Sequence, residues 1–153
     1  MNAADLIAEL SQRASLPLLQ LSDEGTASLV VDRRTTVNLE HDPVGRRLFA
    51  YISLGEPPAV DRESFFARLL AANLFGRGTG GGVIGLDPAS PELLLSRSFD
   101  LDLVDYTAFE TALEALVDAA ELLLSQFAEA SPEEPPPSDI ERPDLHLNSL
   151  WRA

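Results

Sequence analysis

The chain has 153 residues, 45% of them apolar, and carries 25 acidic against 11 basic side chains, a net charge of −14. That is enough for one domain with a core, but no apolar run approaches the roughly 20 residues of a membrane span, and so acidic a surface repels nucleic acid and anionic lipid. Neither cysteine nor lysine occurs, which excludes disulfides, thiolate metal sites, Schiff-base chemistry and a phosphate-loop lysine.

The N-terminus shows acids before any basic residue and no long apolar core, so a cytoplasmic protein without a secretory signal is expected. Leu6, Ile7 and Leu10 form one apolar stripe of a first helix, with Asn2 as its cap and Pro17 ending it. Three strands follow: 27–31, 35–40 and 48–54. The second and third alternate, with Thr35, Val37 and Leu39 on one face and Leu48, Ala50, Ile52 and Leu54 on another. The short turns between them favour an antiparallel meander.

Asp61 is expected to cap a second helix over 62–75. Its residues Phe65, Phe66, Leu69, Leu70, Leu74 and Phe75 cover more than one stripe, so this helix needs two partners, one of which fits a second chain. A glycine run, 76–82, ends it as a C-cap and a flexible turn and leads into a hairpin of strands 83–86 and 92–99. A long last helix begins at Asp105 or Thr107, where 107–110 fits a capping box, and its stripe is Phe109, Leu113, Leu116, Ala120, Leu123, Leu124 and Phe127. The fold class is therefore α+β: helix, three-stranded antiparallel meander, helix, β-hairpin, long C-terminal helix.

Two segments are expected, a folded domain at 1–130 and a Pro-rich acidic tail at 131–153. The tail holds five acids and two Arg, so −11 of the −14 charges lie in the domain. Plain solubility accounts for such acidity. It gains a second use where apolar patches must stay exposed, because like charge keeps them from self-associating. Leu145, Leu147, Leu150 and Trp151 form an apolar end to the tail, suited either to no structure or to docking on an apolar groove as a placeholder.

Catalytic chemistry is not found. Gly76, Gly78 and Gly81 satisfy G-x-G-x-x-G, as do Gly80, Gly82 and Gly85. A dinucleotide site needs strand, glycines, then helix; here a helix precedes and a strand follows, so any phosphate would face the negative end of the helix dipole. The histidines His41 and His146 lack partners at metal-ligand spacing, and no serine has an identifiable base. No enzyme, no cofactor and no metal are expected.

Four stretches carry a resemblance. They are 65–76 (FFARLLAANLFG), 79–87 (TGGGVIGLD), 93–97 (LLLSR), and Phe109 with Leu113, Glu114, Val117, Ala120 and Glu121. Their order and spacing over about 1–130 resemble the class I type III secretion chaperones, the group typified by the Tir chaperone; the Pro-rich tail departs from that pattern. The resemblance implies a homodimeric α+β protein without catalytic activity. It would hold the N-terminal region of one or more effectors in extended form and keep it soluble and secretion-competent. The alternative is a regulatory module of the secretion system that sequesters a regulator or docks on the secretion ATPase.

The same resemblance implies a dimer interface on the second helix and the following strand: Phe66, Leu70, Leu74, Val83 and Ile84. It implies effector contacts along the first helix and the meander: Leu6, Leu10, Leu16, Val30, Leu39, Phe49 and Tyr51. For each of these the competing reading is the subunit's own core. Phe49 and Tyr51 stand apart, because they oppose the face of Leu48, Ala50 and Ile52.

Overall fold

A computed structural model of the chain describes residues 2–16 and 19–130; Pro17 and the tail 131–153, with its apolar 145–151 end, lie outside the described residues. The order is α1 (Ala3–Arg13), β1 (Thr26–Val31), β2 (Thr35–Asp42), β3 (Arg47–Gly55), α2 (Arg62–Asn73), a one-turn 3-10 helix (Leu74–Gly76), β4 (Val83–Leu86), β5 (Leu93–Asp100) and α3 (Tyr106–Ala130).

The meander and the hairpin are one sheet. β5 pairs antiparallel with β3, giving five strands in the order β1-β2-β3-β5-β4. One face is covered by helices. Leu29, Val37, Leu39, Leu48, Ala50, Ile52, Leu93, Leu95 and Phe99 point into it and meet Leu6, Ile7 and Leu10 of α1 and Phe109, Leu113, Leu116 and Ala120 of α3. Each fully enclosed Leu or Phe there contributes about 1.5–3 kcal/mol. Phe99 and Phe109 lock strand to helix, edge to face, with ring centres 4.9 Å apart.

Local chemistry starts and stops these elements. Asn2 caps α1, its side chain accepting the Asp5 amide at 2.8 Å. Asp105 caps α3 by accepting the Ala108 amide at 2.8 Å. The box at 107–110 does not form: Thr107 already lies inside the helix, and Glu110 accepts the Tyr106 hydroxyl instead. Leu124 is exposed rather than part of the buried stripe.

α2 departs furthest from expectation. Asp61 adopts a left-handed conformation (φ 54°) and makes no side-chain cap. The α-helix ends at Asn73, not Phe75, because Leu74 is extended (ψ 112°) and Phe75 after it is left-handed (φ 57°). Only Phe65 and Leu69 of α2 are buried, and Phe65 packs against Phe127 of α3, ring centres 4.9 Å apart and planes tilted by 56°. The glycine run that follows is pinned rather than loose. Thr79 is fully buried and donates to the Gly82 carbonyl at 2.6 Å. Arg97 donates to the Gly80 carbonyl at 2.7 Å. A Cβ on Gly80 would lie 2.2 Å from the Ala115 carbonyl of α3, so only glycine lets the loop approach that closely.

Candidate functional site: an apolar patch and an open strand edge

Three surfaces remain after the core is assembled. The first lies on α2, the 3-10 turn and β4. Leu70, Leu74, Phe75 and Val83 are 70%, 58%, 82% and 60% exposed, and half of Leu86 is open as well. Exposed apolar groups gathered on these elements make a candidate contact surface. A clasp ties the end of α2 to β4. The Asn73 carboxamide accepts the Ile84 amide at 2.7 Å and donates to the Ile84 carbonyl at 3.0 Å. Among the expected interface residues, Leu70, Leu74 and Val83 therefore present free surface. Phe66 is half-buried against Phe65, edge to face at 5.8 Å. Ile84 corrects the expectation: its side chain is buried in the subunit's own core. Phe75 and Leu86 were not among the expected contacts. The sequence signal for Phe75 is an apolar residue just before a glycine run, where a helix gives way to a turn.

The second surface is the free edge of β1. Gly25 accepts from the His41 amide at 2.8 Å, so Gly25 faces β2, and by antiparallel alternation Ala27 and Leu29 do too. Thr26, Ser28 and Val30 then point outward. Ser22 satisfies Thr26, its amide donating to the Thr26 carbonyl at 2.7 Å. Among the described residues no other strand lies beyond β1. β4, the opposite edge, is closed at Ile84 by Asn73. The sheet thus has one open edge and one plugged edge.

Beside the open edge runs a groove of about 390 Å³ between α1, β1 and α3. Leu10, Leu16, Leu29, Leu113 and Val117 line it. Asp32, Glu110, Glu114 and Asp118 also border it. Tyr106, buried and donating to Glu110, has its phenol pushed up to about 12, burial being the larger cause.

The third surface is the uncovered face of the sheet. Its central row runs across all five strands through Ser28, Asn38, Tyr51, Ser96 and Val83. Phe49 and Tyr51 are half-buried there, in a shallow depression of about 640 Å³ shared with Glu40, Leu86, Leu94 and Ser96. Burial, with Glu40 nearby, raises the Tyr51 phenol above its ordinary value.

Of the expected effector contacts, Val30 lies exposed on the open edge, Leu16 and Leu10 line the groove, and Phe49 and Tyr51 lie on the uncovered face. Leu6 and Leu39 are a correction: both are wholly enclosed and offer no surface to a partner. Periodicity put them on apolar stripes but could not say what covers a stripe. Among the described residues no group of three His, Asp or Glu is placed to hold a metal ion, and no helix is long and apolar enough to cross a membrane.

Comparison with known proteins bears on these surfaces. The family model described as Tir chaperone protein (CesT) matches residues 5–124. The Chlamydia pneumoniae protein CPj0713/CpB0740 is 29% identical over 110 residues, 71% of this chain and 82% of its own. A chain of the ExsC–ExsE complex crystal structure is 26% identical with a TM-score of 0.70, covering 86% of this chain and 100% of that one. A chain of the ExoT–SpcS complex from Pseudomonas aeruginosa is 30% identical with a TM-score of 0.57, covering 80% of this chain and 98% of that one. The fold is shared with a chain of the Yersinia pestis type III secretion chaperone SycH in complex with a fragment of YscM2, at 22% identity and a TM-score of 0.62, covering 78% and 98%.

Proposed function

The chain belongs to the Tir chaperone protein (CesT) family, and from that premise we propose that it binds the N-terminal region of one or more type III effectors in extended form and keeps it soluble and secretion-competent. The observation that carries this reading is the open edge of β1 beside an apolar groove. An extended client adds a strand to Ser28 and Val30, exchanging main-chain hydrogen bonds, and sets alternate side chains over Leu10, Leu16 and Leu113. Phe49 and Tyr51 offer a second apolar seat on the uncovered face. Chemistry is not required of such a protein: binding energy alone holds the client unfolded, with no cofactor and no catalytic step.

The working unit in this reading is a homodimer closed through Leu70, Leu74, Phe75 and Val83. In a symmetric pair the same patch meets itself, and Phe66 and Ile84 support it from beneath. Function places the protein in the cytoplasm, where effectors wait before export, with the secretion ATPase as a further partner. The domain 1–130 performs these tasks, and the tail 131–153 is an appendage to it.

Co-expression with the neighbouring reading frames, followed by native mass spectrometry of what co-purifies, tests the reading. Two copies of this chain with a client is the expected particle. A monomer that recovers no secreted protein would overturn it.

A further inference from the structure

Resting on that reading of the β1 edge, we propose that the groove selects client segments in which apolar and basic residues alternate, the basic ones being Arg or Lys. The argument starts from the groove's two materials. Its floor is aliphatic, from Leu10, Leu29, Leu113 and Val117, while Glu110, Glu114 and Asp118 of α3 border it. The ion pairs among the described residues are Glu9–Arg13, Arg34–Glu121 and Arg46–Asp102. None of them neutralises Glu114 or Asp118, both of which are exposed.

These three acids stand four residues apart on one face of α3, an arrangement that disfavours the helix through like-charge repulsion. Glu114 and Asp118 are also too far along α3 to gain from its N-terminal dipole. Their spacing of about 6 Å per step approaches the spacing of about 6.8 Å between same-side residues of a strand. All three acids border the groove that β1 lines, so every second side chain of a strand added there would face this acidic border.

A purely aliphatic side chain fills the floor but leaves those carboxylates unpaired. An acidic one is repelled. Arg and Lys satisfy both materials, because their methylene stems lie on the apolar floor while the charged head reaches the carboxylates.

The test uses the full-length protein and three short fluorescein-labelled peptides, alternating Val–Arg, Val–Ser and Val–Glu, read by fluorescence anisotropy. The Val–Arg peptide is expected to bind tightest. Glu114→Gln with Asp118→Asn should weaken it by between about twofold and thirtyfold, from two exposed pairs, and leave Val–Ser unchanged. Glu56→Gln with Glu63→Gln removes the same charge elsewhere and should change little. Equal binding of the Val–Arg and Val–Ser peptides, or equal losses in the two double variants, would overturn the proposal while leaving the strand-addition reading intact. If no peptide binds, or if Val30→Pro on the open edge leaves all binding unaltered, both readings fall together.

Discussion

The side chain of Asn73 and the backbone of Ile84 form a two-point pair, with the carboxamide standing where a neighbouring strand would place a peptide group. One asparagine thereby ties the end of α2 to β4 and occupies the outward hydrogen-bonding groups at Ile84. An added strand is left the opposite edge of the sheet.

Asn73→Asp should be destabilising by about 1–3 kcal/mol, because it deletes the donor to the Ile84 carbonyl and sets a carboxylate against it. The denaturation midpoint measures the loss. Amide hydrogen exchange at Ile84 should accelerate more than exchange in β3, which pairs on both sides. Unchanged exchange at Ile84 would mean that the clasp is not holding the edge.

Leu70→Asp and Phe75→Asp should leave the subunit folded, since both side chains are largely exposed within it. Each should convert the proposed dimer to monomer in sedimentation velocity runs at micromolar concentration, with far-UV circular dichroism unaltered. A persistent dimer in both variants would move the interface elsewhere.

Phe49→Asp places a charge on the uncovered face, in the depression that Leu86 of β4 borders, and not among Leu70, Leu74, Phe75 and Val83. Client binding should fall by about tenfold or more while the dimer remains, because one large apolar contact is worth roughly 1.5–3 kcal/mol. Titration of a co-purified client against wild type and variant checks it.

Gly80→Ala should cost at least about 3 kcal/mol, combining a left-handed backbone with a Cβ driven into α3. The observed φ of 59° and the 2.2 Å approach to the Ala115 carbonyl are the grounds. Gly85→Ala, where a Cβ would meet nothing within 4 Å, serves as the mild control.

Acid should unfold the protein partly through two surface pairs. Hydrogen bonds from Arg34, then from Thr35, hold Glu121 below its ordinary pKa; a hydrogen bond from Arg46 does the same for Asp102. A carboxylate depressed in the folded state contributes stability above its unfolded pKa, near about 4, and loses it as pH falls through the lower folded value. Glu121→Gln should therefore flatten the decline in thermal midpoint on that acid limb. Both pairs are exposed, so added salt should shrink the difference.

Much of the architecture was legible in the chain. Period-two runs at 35–40 and 48–54 and helical stripes at 6–10 and 109–123 marked the elements, because a side chain's direction follows directly from backbone geometry. Asn2 and the Asp105 option announced helix starts for the same local reason. The candidate site was legible only in part. Leu70, Leu74 and Val83 stand exposed where a partner was expected, whereas Leu6, Leu39 and Ile84 are covered by their own chain.

What composition and periodicity determined was which residues are apolar, on which side of each element, and that an acidic α+β domain would result. The tertiary structure decided which apolar stripes are covered. It joined hairpin to meander through β3 and β5, turned Phe75 outward where Leu74 is extended and Phe75 and Gly76 are left-handed, and closed one edge of the sheet with Asn73 while leaving β1 open among the described residues. Those outcomes depend on contacts between residues distant in sequence, and no pattern of period two or 3.6 records what lies opposite.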